Sequence, residues 1–563
     1  MSRPPLETPP TRRHQRLIVK AAFWLIAIAL GFLQAWNSRY SLSTGDAVSY
    51  LDLGKAYLQG DWDAAVTSYF APLYPIFLAS FQALLSPSSF WEFFVVKLTN
   101  LFILALSLVC FDRFLHEFII YYNSHRTTDK ERWLIPSWLW IVAGYILFIW
   151  SATQWIGVDT DSPDLLMSAT IYLAMAIVLR ISRSEQWTSF ILLGVVLGLG
   201  YLTKSFMFPM AFIFLGVSFF STQKNFRSAA KIAVAFLAFV TISCPYIYAI
   251  SSFEGEFTFG SSGQLNYAWN VSPGGIHNHY WQGEPAGSGI PKHPIRQVFD
   301  QPTVYEFGEP IGGTYPPWHN PAYWNAGLQT TFNLRKQIHV LWVHALEYYR
   351  IFFGVLLFGY LIFVAVTDSW NVAVKNLLRN WILLIPACAG LGSFMLVHVR
   401  ARYSAALIVI LFAAFFGSVY PPNVKAVKRF TVTAVLSMTL LIWPQFATAA
   451  KSAGEPLQWK IANGLNQLGI ESGERVAILG GYKVGSNYYW AKLADLKIVA
   501  EIPSIEEFWE ADDATRQRVY DTLTRTGAKI LVQEPGQDSP LKYLETDDWQ
   551  KIDNTKSYVR FLR

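Results

Sequence analysis

Residues 21–36 read AAFWLIAIALGFLQAW, an unbroken apolar stretch behind Arg12, Arg13, Arg16 and Lys20. It is longer than the hydrophobic region of a signal peptide, and no small-x-small cleavage site follows it. Residues 17–36 therefore supply the roughly 20 apolar residues that cross a bilayer. They are expected to stay as a first transmembrane helix, with the basic N-terminus cytoplasmic. Similar stretches recur through the first four-fifths of the 563 residues, and 53% of the chain is hydrophobic, 16% aromatic and only 15% charged. Soluble domains carry about 25% charged residues, so a soluble enzyme and a disordered chain are excluded. The net charge of +6 is diffuse, whereas a nucleic-acid binder gathers its basic residues on one face.

Apolar length and the charge of short loops together give about 11 spans. They are 17–36, 90–111, 136–150, 165–179, 187–201, 206–220, 232–250, 351–366, 381–397, 403–419 and 430–446. The stretch 71–85, apolar but carrying Pro72 and Pro75, sets the parity of everything after it. If it stays on one side, the basic loops that follow residues 111, 179, 220, 366 and 419 all fall in the cytoplasm, as the positive-inside rule requires. That reading is adopted. It leaves Lys204 and the Arg400/Arg402 turn as basic exceptions on the external side. Beside them lie two acidic groups, Asp46 with Asp52, and Asp159, Asp161 and Asp164. Ionisable residues at a membrane are costly and commonly functional. The plainer alternatives are arginines snorkelling to headgroups and aspartates capping helices.

The external segments are 37–90 and 251–337. The second is rich in Gly, Pro, Trp, Tyr and His, and loops of that length are uncommon unless functional or disordered. Its aromatics argue for an ordered cover over a site. His277, His279, His293 and His319 lie in it, but no carboxylate spacing completes a metal set. Cys110, Cys244 and Cys388 each sit in an apolar run and read as buried free thiols. Residues 1–450 form the membrane domain on this reading. Residues 451–563 alternate helical and strand patterns, which predicts a small external α/β domain with a mainly parallel sheet. Its GGYKVG at 480–485 reads as a tight turn and not a dinucleotide fingerprint.

Several short motifs carry a family resemblance. Gly45-Asp46 after the first span, then Tyr50-Leu51-Asp52, Gly60-Asp61-Trp62 and Pro72-Leu73-Tyr74-Pro75, resemble the first external loop of the GT-C integral-membrane glycosyltransferases. The nearest branch is that of protein mannosyltransferases and aminoarabinose transferases, with the RgtA/B/C/D-like proteins. Pro163-Asp164-Leu165-Leu166 resembles the second acidic element, Gly200-Tyr201-Leu202-Thr203-Lys204 the Gly-x-Leu-Thr-Lys segment, and Arg400-x-Arg402-Tyr403 the start of a late helix. Their order and shared side make the set more specific than any member, and it covers residues 17–420. The resemblance implies a mainly α, polytopic fold and inverting transfer of a sugar from a polyprenyl-phosphate donor to a glycan, lipid or protein acceptor. It makes Asp46 the catalytic base and puts Lys204, Arg400, Arg402 and Tyr403 on the phosphate. Asp52, Asp159, Asp161 and Asp164 would support them. No cofactor is certain from it; a divalent metal ion stays open, because Ala47 stands where many relatives have a second acid. The rival readings are a transporter or flippase of lipid-linked glycans, and a non-catalytic membrane scaffold.

Overall fold

A computed structural model describes residues 10–43, 45–124, 134–272, 295–308, 313–314, 330–351, 360, 364, 370–420, 425, 456–480, 489–533 and 548–562. The membrane part runs through α1 (Pro10–Asn37), α2 (Asp46–Gln59), α3 (Trp62–Ala65), α4 (Leu73–Leu85), α5 (Glu92–Ser124) and α6 (Ser137–Trp150). It continues with α7 (Asp164–Ile181), α8 (Trp187–Thr203), α9 (Met207–Phe220), α10 (Phe226–Glu254) and α11 (Ser262–Asn270). After these come α12 (Leu334–Tyr348), α13 (Trp370–Arg379), α14 (Trp381–Val397) and α15 (Ala401–Phe416). Among the described residues, five helices are long and apolar enough to cross a membrane, or six if the bent pair Val372–Arg379 and Trp381–Val397 counts as one. Four shorter apolar helices accompany them. The expected spans 351–366 and 430–446 lie almost wholly outside the described residues; the other nine each coincide with an apolar helix.

Burial sorts these helices. The apolar window of α7 is 89% buried, against 17% for α1 and α10. A helix apolar all round and covered all round is a central one, so α7 is the axis of the bundle and α1 and α10 are outer staves. Cys110 is buried as expected. Cys244 and Cys388 are exposed on helix surfaces, a correction that follows from the solvent being lipid, which makes an apolar run no guide to burial.

The segment that holds residues 71–85 begins and ends at one place in the bundle. Ser43, just past α1, donates its backbone N–H to Asp161 Oδ2 at 2.9 Å. Lys97, early in α5, reaches Asp161 Oδ1 at 2.5 Å. Both ends of the segment 43–97 thus meet at one carboxylate, so α2, α3 and α4 leave and return at the same end of the bundle. The α2–α4 pair is close: a Cβ on Gly54 would lie 3.0 Å from the carbonyl oxygen of Pro75. Helix α2 stops at Gly60, whose φ of 70° is the left-handed cap that favours glycine.

The remaining elements are α16 (Leu457–Gln467), α17 (Tyr489–Leu493), α18 (Ile505–Glu510), α19 (Asp513–Arg525) and a seven-stranded sheet. Its strands are β1 (Ile295–Phe299), β2 (Val304–Phe307), β3 (Arg475–Leu479), β4 (Lys497–Ile502), β5 (Ile530–Gln533), β6 (Gln550–Lys551) and β7 (Tyr558–Phe561), in the order β1-β2-β4-β3-β5-β7-β6. The central trio β4-β3-β5 is parallel, as the alternation of strands and helices predicts. The sheet as a whole is mixed, because β1–β2 and β7–β6 flank it antiparallel. The hairpin β1–β2 comes from the long segment before residue 337, so that segment contributes to the C-terminal sheet. Aromatic contacts seat this unit on the bundle: Trp459 packs on Phe90 with ring centres 5.3 Å apart, and Tyr489 on Phe93 at 6.4 Å.

Candidate active site

Four helix termini converge at one end of the bundle. Asp46 opens α2, Asp164 opens α7, Lys204 follows α8 in extended conformation, and Arg402 lies in the first turn of α15. Carboxylates in the first turn of a helix face the unsatisfied N–H groups and the positive end of the dipole. Arg402, by contrast, faces an unfavourable terminus and needs a partner, which Asp164 provides. Asp164 Oδ1 accepts from Lys204 Nζ at 2.7 Å, and its Oδ2 lies 3.3 Å from Arg402 Nε. Ser162 Oγ donates to Oδ2 at 2.9 Å. Lys204 Nζ also lies 3.7 Å above the Tyr403 ring centre, a cation–π contact.

These groups line a cavity of about 570 Å³. Asp46, Asp164, Lys204, Arg402 and Tyr403 form its charged wall. Phe206, Phe257, Phe259 and Phe394 form an apolar wall, and Gln264 and Asn266 of α11 add amides. Asp46 differs from Asp164 in a decisive way. Gly45, not Asp46, is the N-cap of α2, and no side chain caps that helix. Among the described residues nothing hydrogen-bonds or ion-pairs with the Asp46 carboxylate. Burial pushes its pKa above the ordinary aspartate value, with Arg402 and then Lys204 pulling it back in part. The lining therefore holds one committed carboxylate, two cations, the free Asp46 carboxylate and Glu256.

The other sequence candidates lie outside the cavity lining. Asp161 is a buried pin, joined to Lys97, Ser43 and the Asn100 amide, and it fixes the loop before Asp46 relative to the turn before Asp164. Asp159 offers its backbone carbonyl to Lys97 at 2.8 Å. Asp52 holds Thr314 and Lys492. Arg400 is exposed and donates from Nε to His398 Nε2 at 2.9 Å. His398 does line the cavity; burial, and then Arg400, lower its pKa to about 4, so its imidazole is neutral at ordinary pH. Sequence reasoning gave no site role to His398, Tyr50, Tyr69, Glu256, Gln264 or Asn266. It also passed over Lys97, although a lone lysine inside an apolar span is a usable signal.

The donor set does not suit a divalent ion. Hard cations take about six oxygen ligands, while both Asp164 oxygens are engaged by cations, which leaves Asp46 and Glu256 as the remaining carboxylates of the lining among the described residues. No group of three or more His, Cys, Asp or Glu comes together among the described residues. His277, His279, His293 and His319 lie outside those residues.

Comparison with known proteins adds the fold. The sequence profile of the dolichyl-phosphate-mannose-protein mannosyltransferase family matches residues 118–248. No curated protein matches the chain in sequence. Among solved structures, ArnT from Cupriavidus metallidurans bound to undecaprenyl phosphate superposes with a TM-score of 0.54 at 11% identity, over 99% of this chain and 99% of that one. Its apo form gives 0.53 at 11% identity, over 96% and 97%. This chain has the GT-C fold. The apo oligosaccharyltransferase of Archaeoglobus fulgidus, at a TM-score of 0.53 and 13% identity over 93% of this chain and 70% of that one, agrees. Within the GT-C fold, the profile match takes in Asp164 and Lys204, whereas Asp46 and Arg402 lie outside it.

Proposed function

We propose that the protein is an inverting glycosyltransferase that moves a sugar from a polyprenyl phosphate to a hydroxyl of an external glycan, lipid or protein. The observation that carries this reading is the free Asp46 carboxylate in one cavity with Lys204 and Arg402. Asp46 takes the proton of the acceptor hydroxyl as its oxygen attacks the anomeric carbon from the face opposite the phosphate. The bond from that carbon to the phosphate oxygen breaks, and its electron pair stays on the leaving phosphate. The phosphate gains one negative charge in the step, and Lys204 and Arg402 stabilise it as it develops. Tyr403 holds the Lys204 ammonium in place. The aromatic wall suits the lipid end of the donor, in a fold shared with a protein crystallised with undecaprenyl phosphate. Residues 1–450 are the catalytic membrane domain on this proposal, and 451–563 an external domain. A transporter's coupling residues lie near the bilayer midplane, whereas Asp46 sits at a helix terminus at one end of the bundle.

Purified protein in proteoliposomes is expected to bind polyprenyl phosphate and to transfer sugar from a polyprenyl-phosphate donor. Movement of the lipid between leaflets without transfer would replace this reading by the flippase one.

The same proposal sets the sides. Helix α7 runs from Asp164 toward Arg180, and α8 returns to Lys204, so the basic turns at Arg183 and Arg227 lie at the end opposite the site. With those turns cytoplasmic, Arg227→Cys should resist a membrane-impermeant thiol reagent in intact cells and Asp300→Cys should react. These variants are made in a chain whose Cys244 and Cys388 are replaced. The reverse pattern would put the cavity in the cytoplasm.

A further inference from the structure

Helix α2 carries two acids with opposite fates. Its first residue, Asp46, is free in the cavity; six residues on, Asp52 is buried and fully engaged. Asp52 Oδ1 accepts from Lys492 Nζ at 3.0 Å and from Thr314 Oγ1 at 3.3 Å, and Oδ2 accepts the Thr314 backbone N–H at 2.8 Å. The Lys492 and Asp52 side chains are only 4% and 5% exposed. Glu92 of α5 adds a second carboxylate 3.6 Å from Lys492. Gly313 is pressed on the same group, since a Cβ there would lie 2.5 Å from Asp52 Oδ2. Thr314 is tied back to the sheet through its carbonyl, which accepts from the backbone of Ile498 at 3.0 Å. Lys55, one turn further along α2, bonds Asp495 at 3.1 Å. The sheet unit thus grips the helix that presents Asp46 at two points.

A buried ion pair is a poor device for stability alone, because apolar packing often does as well or better. What it supplies is a fixed geometry. We propose that Lys492, with Thr314, is a positioning residue for transfer: through Asp52 it sets the pose of α2, and thereby the place of the Asp46 carboxylate in the cavity. The inference rests on the glycosyltransferase reading. Asp46 and Asp52 are about 9 Å apart along the helix axis, so a slide or rotation at Asp52 reaches Asp46 almost undiminished. A misplacement of about 1 Å can cost roughly 10²-fold in rate. Lys492 and Asp52 do not line the cavity, so the donor lipid should bind as before.

The test uses the full-length protein in proteoliposomes, with Lys492→Met, Lys492→Arg and Asp52→Asn. Lys492→Met is expected to lower kcat about tenfold or more, with KM for the lipid donor and affinity for polyprenyl phosphate within about twofold of wild type. Arg should restore most of the rate. Asp52→Asn, which keeps a hydrogen-bonding group against Thr314, should show the same split and serves if Lys492→Met does not fold. Wild-type kcat in Lys492→Met and Asp52→Asn overturns the proposal, and so does joint loss of rate and donor affinity, which marks a general structural role. Absence of transfer by the wild-type protein would instead sink the functional reading, and transfer unaffected by Asp46→Asn would sink Asp46 as its base, so the failures are distinguishable.

Discussion

Asp46→Asn should transfer sugar about 10²–10⁴-fold more slowly than wild type, the usual range when a general base is lost, with stability nearly unchanged. The substitution keeps size and hydrogen-bonding capacity and removes only the ability to take a proton at neutral pH. The stability claim follows from the cap. Gly45 is the N-cap of α2, and the Asp46 side chain bonds no helix N–H, so Asn has no cap to preserve or lose. Binding of polyprenyl phosphate should survive, because both cations remain. The pH profile gives a second reading of the same residue. A base works deprotonated, so the rate falls as pH drops through its pKa. Burial places that pKa above the ordinary aspartate value, so the acid limb should lie above about pH 3.9. A near wild-type rate in the Asn variant would remove Asp46 from the chemistry. Asp164 and Glu256 would be left as the other carboxylates lining the cavity among the described residues.

Replacing Lys204 by Met or Arg402 by Gln should each lower kcat/KM by roughly 2–4 kcal/mol of transition-state stabilisation, about 30- to 1,000-fold. The two effects should not add. Lys204 and Arg402 share Asp164, one on each oxygen. Removing either cation leaves the other as the one remaining cation described on that carboxylate and draws it away from the phosphate. Groups that act as a unit are strongly non-additive, so the double variant should be little slower than the worse single one. Either change also removes a charge that holds the Asp46 pKa down, and the acid limb should move to higher pH. Unchanged kcat/KM in both single variants would take the pair out of the site.

Much of the charged wall was legible in the sequence, and for one reason. Asp46, Asp164, Lys204 and Arg402 are charges at the ends of apolar runs on the side where basic residues are out of place. Sequence could not choose among near neighbours. Arg400 and Arg402 are two apart, and only the helix start between them separates an extended N-cap on His398 from a first-turn residue in the cavity. Asp161 and Asp164 differ in the same way, one pinned on Lys97 and one on Lys204. The hairpin β1–β2 was hidden for another reason. Its strands of five and four residues lie in a Gly- and Pro-rich segment, and they become strands by pairing with β4. Strand propensity is mostly a statement about neighbours, and here the neighbour comes almost 200 residues later. Asp52 gave no sign of its role, because its partners Thr314 and Lys492 are equally remote.

The grip of Lys492 on Asp52 also orders events in time. The two residues are 440 positions apart. At about 5–20 residues per second, Asp52 leaves the ribosome some tens of seconds before the lysine that will hold it. Helix α2 and its Asp46 must therefore be delivered early and wait, while β1 and β2 wait beside them for an edge to pair with. A chain still in synthesis has the cavity's cations within α8 and α15 but not the clasp on its base. On the proposed mechanism, sugar transfer reaches its full rate only once Lys492 has been made and has closed on Asp52.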